Sequence, residues 1–172
     1  MKIYNNYDGS SIDVIKNSLK ENIIITSLKV EHNNYCHYYN FFVKNLSSSK
    51  GVVFIKNIKK SPYFIDDFQR PWFREKERWN QFECDAVKLN DDELEIEIKP
   101  YQECEISLVP RYTLEDLETF LVKLKKQKHC KIINDIVPQI IIGKTENPVT
   151  LVIARQHPGE TMSSFFVEGM ID

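Results

Sequence analysis

The chain has 172 residues, 42% of them hydrophobic and 12% aromatic, with only five glycines, a composition that builds a packed core and excludes a disordered or low-complexity protein. That length holds one ordinary domain, or a small one followed by part of a second. A formal charge of -2 excludes binding to nucleic acid or an anionic membrane through a global basic field, and no apolar run approaches the roughly 20 residues of a membrane-spanning helix.

The opening stretch "MKIYNNYDGSS" lacks the continuous apolar run of a signal peptide, so the expected location is the cytoplasm. Cys36, Cys84, Cys104 and Cys130 form no Cys-x-x-Cys pair and are expected to be buried, reduced thiols. "YCHYYNFFVKN", from Tyr35, is an aromatic and β-branched segment closed by the polar turn "LSSSKG", and "GVVFIKNI" from Gly51 reads as the next strand. "QRPWFREKERW", from Gln69, reads as a loop anchored by Trp72 and Trp79. The competing reading is a basic and aromatic grip for an acidic peptide tail or single-stranded nucleic acid, the second being disfavoured by the neutral charge balance.

Further on, "LEIEIK" puts Leu94, Ile96 and Ile98 on one face and Glu95 and Glu97 on the other, the pattern of a sheet wet on one side. "ECEISLVP" repeats it after Pro100. Short strands at this spacing, without a helical period between them, predict an antiparallel β-sandwich over roughly residues 24–110.

From Thr113 the period changes. "TLEDLETFLVKLKKQK" carries Leu117, Phe120, Leu121 and Leu124 at helical spacing, with Thr113 and Asp116 placed as a capping box. Acidic residues open this helix, and Lys123, Lys125, Lys126 and Lys128 lie near its end, which makes the run "KLKKQKHCK" a solvated face rather than a binding patch. Two nearly continuous apolar runs follow, "PQIIIGK" from Pro138 and "PVTLVIA" from Pro148, and predict strands buried on both faces, as in an α/β layer. The expected organisation is therefore a sandwich domain over 1–111 and a second domain beginning at 112 and running to 172.

The stretch "ARQHPGETMSSFFVEGM" follows the last apolar run. His157 and Glu160 stand three positions apart across a Pro-Gly bend, at the carboxyl end of the expected strand, where open α/β sheets place their ligand crevices. An imidazole and a carboxylate on such a turn both suit zinc, although a catalytic zinc needs a third protein ligand. The same residues also read as ordinary structure, with His157 bonded within the turn and Glu160 favouring the positive end of the following helix.

That stretch resembles the zinc-binding segment of the zinc metallocarboxypeptidases, in the Arg-x-His-Pro-Gly-Glu-[Ser/Thr] form of the cytosolic carboxypeptidase subfamily. "HYYNFFVKNL" from His37, "RPW" from Arg70 with Trp79 beyond it, and "YTLEDLETFL" from Tyr112 are similar to the β-sandwich domain and the first catalytic helix of that subfamily. The resemblance implies a β-sandwich followed by the truncated beginning of an α/β metallocarboxypeptidase domain, with His157 and Glu160 as the first two Zn2+ ligands. It implies a hydrolase acting on the C-terminal tail of a peptide or protein, with no membrane partner. The second His ligand, the general-base Glu and the substrate-holding Arg and Tyr residues would lie downstream, so this chain by itself is expected to be an inactive fragment. His32, His37 and His129 match no ligand motif. The alternative from a different class is a non-catalytic β-sandwich that binds a protein partner or an acidic tail.

Overall fold

Alternation of the kind seen in "LEIEIK" governs most of the chain up to residue 111, because a strand with one wet face must send every second side chain inward. A computed structural model describes residues 1–7, 10–30, 36, 38–62, 70–133, 137–144, 146–156 and 160–171. The chain forms two compact units, Met1–Arg111 and Tyr112–Asp172.

In chain order the first unit contains β1 (Lys2–Tyr4), β2 (Asp13–Ser18), β3 (Ile23–Ser27), β4 (Asn40–Lys44), β5 (Gly51–Lys56), β6 (Trp72–Glu75), β7 (Arg78–Gln81), β8 (Val87–Asn90), β9 (Glu93–Ile98) and β10 (Glu103–Ser107). They assemble into two five-stranded sheets, ordered β1-β4-β10-β6-β7 and β2-β3-β5-β9-β8. Every pair is antiparallel except β3 with β5. Parallel neighbours need a crossover, and here the chain makes it by way of β4 in the opposite sheet.

Leu94, Ile96 and Ile98 of β9, Val53 and Ile55 of β5 and Ile24 of β3 are buried in one cluster with Phe41 and Val43 of β4 and Cys104 and Ile106 of β10. Both sheets thus share a single core, which makes the unit a β-sandwich. Each of its larger apolar side chains, fully removed from water, contributes roughly 1.5–3 kcal/mol. The glutamates between those of β9 stay partly exposed, as the alternation requires.

Tight connections use residues that tolerate the left-handed region. Asp91 (φ 54°) turns β8 into β9, and Asn22 (φ 56°) precedes β3. The Asn22 side-chain amide donates to Asn45 Oδ1 at 3.1 Å and to the Lys50 carbonyl at 3.1 Å, while the Asn45 amide donates to the Ser49 and Lys99 carbonyls at 2.9 and 3.0 Å. These two buried amides fasten the turn "LSSSKG" to its neighbours and leave few polar atoms unsatisfied there. The segment "PWFREKERW", expected as a loop, is instead the hairpin β6–β7, turning at Lys76 (φ 59°).

The second unit contains α1 (Leu114–Leu124), an antiparallel ribbon of β11 (Cys130–Ile133) with β12 (Gln139–Ile142), and α2 (Thr161–Ile171). The capping box forms: Thr113 Oγ1 accepts from the Asp116 N–H at 3.1 Å, and the Asp116 carboxylate accepts from the Thr113 N–H at 2.6 Å. Phe120, Leu121 and Leu124 are the buried stripe of α1. The expectation of strands buried on both faces fails. "PVTLVIA" has no strand, with Val149 86% and Leu151 80% exposed, and Ile142 of β12 is 48% exposed. A strand buried on both faces needs neighbours in its sheet and a layer over each face, and the ribbon stops at two strands. No helix among the described residues is long and apolar enough to cross a membrane.

Candidate functional site

Glu160, the expected second ligand, directly precedes α2 and is half-buried. His157, with Pro158 and Gly159, lies outside the described residues. The described residues on either side of them carry the local geometry.

On the amino-terminal side, Arg155 takes a left-handed backbone (φ 53°). Its N–H donates to Ser163 Oγ at 2.7 Å, and its guanidinium donates to the Tyr112 carbonyl at 2.7 Å with the charge 6.0 Å from the Tyr112 ring centroid. On the carboxyl-terminal side, the Glu160 carbonyl accepts from the Ser163 hydroxyl at 2.6 Å and from the Ser163 N–H at 3.2 Å. Tyr112 is held in turn by α2: its hydroxyl donates to the Glu168 carboxylate at 2.5 Å, and its ring meets Phe165 edge-on at 5.1 Å. Burial, then the hydrogen bond and charge of Glu168, push the Tyr112 hydroxyl well above the ordinary phenol range, so it stays a donor at neutral pH.

Among the described residues no group of three or more His, Cys, Asp or Glu converges as a metal site. The donor chemistry of the segment is nevertheless of the right type for zinc, a carboxylate at 160 and an imidazole at 157. These residues fit part of a zinc site, one protein ligand short of a catalytic one.

The other candidates separate cleanly. His32 and His37 lie outside the described residues, and His129 is exposed, its carbonyl accepting the Gly143 N–H at the open end of the ribbon. All four cysteines are free. Cys36 and Cys104 are buried as expected, but Cys84 is exposed, because it opens a short 3₁₀ turn (Cys84–Ala86) between β7 and β8, and Cys130 is half-buried. The lysines at the end of α1 are exposed, a solvated face.

In the hairpin, Arg74 is committed within the first unit. Its guanidinium lies 2.5 Å from the Glu105 carboxylate and 5.2 Å from the Trp79 ring centroid. Arg111 Nε donates to the other Glu105 oxygen at 2.6 Å, and Asn40 donates to that same oxygen at 2.8 Å. Arg70 donates to the Phe82 carbonyl at 3.0 Å. Two of the four cations in the stretch are thus engaged by this unit's own acceptors.

Neither the Ser163 bridge nor the Glu105 cluster was read from the sequence. A serine three positions after the candidate ligand was the one available hint, since hydroxyls at helix starts bond to nearby backbone.

The fold recurs in solved metallo-carboxypeptidases. The enzyme from Burkholderia cenocepacia matches with a TM-score of 0.82 at 17% identity, covering 99% of this chain and 48% of that one. The metallo-carboxypeptidase from Pseudomonas aeruginosa, solved in complex with (2-guanidinoethylmercapto)succinic acid, matches with a TM-score of 0.80 at 19% identity and the same coverage of each chain, 99% and 48%. The chain therefore spans about half the length of these structures, and at such identity the likeness is one of fold. The model of the cytosolic carboxypeptidase N-terminal domain matches residues 3–108, and the chain belongs to that family. No curated protein sequence matches.

Proposed function

We propose that the chain is the amino-terminal part of a zinc-dependent metallocarboxypeptidase, a hydrolase that removes C-terminal amino acids from peptides or proteins in the cytoplasm. The observation that carries this reading is the sequence Arg155-Gln156-His157-Pro158-Gly159-Glu160-Thr161, whose last residue opens α2, in a chain whose sandwich belongs to the cytosolic carboxypeptidase family. Residues 1–111 serve as the amino-terminal sandwich domain, and residues 112–172 as the start of the catalytic domain. The free thiols agree with a reducing compartment.

In this reading the His157 imidazole and the Glu160 carboxylate hold the ion, and the third ligand comes from residues beyond these two. A zinc ion held there supplies Lewis-acid polarisation of the scissile carbonyl and an acidified water. The chain's own part is to keep both donors deprotonated and aimed together. The general base and the groups that receive the substrate's terminal carboxylate likewise come from outside this set.

The test is a peptidase assay on the protein at the length of its solved relatives. His157→Ala is expected to lower turnover by at least 100-fold while leaving the thermal transition of the sandwich in place. Turnover unchanged by that substitution would remove the proposal. The alternative binding-module reading has less support, since Arg74 is already engaged by Glu105 and the Trp79 ring within its own unit.

A further inference from the structure

Two residues before His157 the backbone takes a conformation that Arg155 does not favour. A non-glycine residue at φ 53° costs on the order of 1 kcal/mol and persists only where its surroundings hold it. Among the described residues, Ser163 holds the Arg155 N–H, and the Tyr112 carbonyl and ring hold its guanidinium. Ser163 is the member of this set that bonds to both Arg155 and Glu160. A serine hydroxyl has one proton to donate and two lone pairs to accept with. Here the lone pair takes the Arg155 N–H at 2.7 Å, and the proton goes to the Glu160 carbonyl at 2.6 Å.

We propose that Ser163 is a positioning residue whose hydroxyl pins Arg155 and Glu160 together, and so sets the direction in which the Glu160 carboxylate leaves the backbone. This inference rests on the reading of His157 and Glu160 as metal ligands and deepens it. The hydroxyl proton and a lone pair are taken up by the Glu160 carbonyl and the Arg155 N–H, and the residue acts through them, in the way that groups behind metal ligands fix the orientation of the ligands themselves. Alanine at 163 removes both bonds, while threonine keeps a hydroxyl on the same carbon.

The experiment uses the chain itself, with Co2+ as the probe, read by paramagnetic broadening of the Glu160 and Thr161 amide NMR signals, which registers weak binding to two ligands. Amide hydrogen exchange at Arg155 is measured on the same samples without metal, and far-UV circular dichroism checks that the helices persist. Ser163→Ala is expected to weaken Co2+ binding about tenfold, at the low end of what loss of such supporting groups produces. It is also expected to speed exchange of the Arg155 amide, with Ser163→Thr restoring both. His157→Ala is the control that separates the two readings. If it abolishes broadening while Ser163→Ala leaves both the Co2+ titration and the Arg155 exchange unchanged, the ligands stand and the positioning role is overturned. If the wild-type chain shows no broadening at Glu160, or His157→Ala leaves it intact, the ligand reading and the role of Ser163 fall together.

Discussion

At the scale of single residues, the first unit carries buried acids whose protons the fold retains. Cys104 has its thiol pushed up to about 12 from an ordinary 9.0, first by burial and then by the charges of Glu75 and Glu105. Burial likewise raises the hydroxyls of Tyr39 and Tyr7 above the phenol range. Below pH 9 both the folded and the unfolded chain hold the Cys104 proton, and this group adds no pH dependence. From about 9 to about 12 the unfolded chain has released it and the folded chain has not, so the unfolded state binds fewer protons and stability falls as pH rises. The expected outcome is a urea midpoint that drops through this window and drops less steeply in Cys104→Ala. Equal slopes in the two proteins would show that another group dominates the alkaline limb. The thiol's burial was legible, because Cys104 falls on the inward phase of β10. The exposure of Cys84 was not, since a turn has no alternation from which to read a face.

At the scale of elements, period-2 strands were legible wherever one face is dry, as in β5 and β9. In β10 the expected wet face fails, because Glu105 and Ser107 are buried along with Cys104 and Ile106. The hairpin β6–β7 escaped because its polar residues find partners far away in sequence. Arg74 pairs with Glu105 of β10 and Glu75 accepts from Gln102, so a stretch without a clear alternation still forms a sheet edge. "PVTLVIA" misled in the opposite direction, being β-branched and apolar yet pairing with no strand among the described residues. The support behind the site was invisible for a related reason. The contacts of Arg155 with Tyr112 join positions 43 residues apart in sequence, and no local pattern encodes them. The charge cluster on β10 gives this scale its prediction. Glu105 is buried between Arg74 and Arg111, so Glu105→Ala removes the carboxylate that both guanidinium groups share and is expected to cost about 3 kcal/mol, the low end for a broken buried pair, because both arginines keep some exposure. Arg74→Ala leaves Glu105 with Arg111 and Asn40 and is expected to cost clearly less. Denaturant midpoints measured in parallel decide it, and an equal or reversed order would mean that the cluster does not turn on the shared carboxylate.

At the scale of the whole molecule, the two units differ in how they treat apolar surface. The sandwich closes over its own core, whereas the second unit leaves Val137, Val149, Leu151, Ile153 and Phe166 each more than 60% exposed. The sequence of α2, "TMSSFFVEGMI", is apolar on most of its faces, and a helix of that kind normally lies in a protein interior. Monomeric soluble proteins rarely present contiguous apolar patches of more than a few hundred Å², and a larger one marks a surface built to be covered. The solved carboxypeptidases of the same fold are about twice as long as this chain, which gives a source of cover in the proposed enzyme. The chain is therefore expected to bind an environment-sensitive apolar dye while showing a cooperative thermal transition for the sandwich, a pairing that separates it from a loosely packed state. Replacing Val149 and Leu151 by Asp should reduce the dye signal several-fold and shift the transition little, because side chains already in water contribute little to stability. Protein at the length of the solved relatives should show the low signal without any substitution. Strong dye binding at that length, equal to that of the chain, would mean that the exposed set serves something other than the proposed catalytic domain.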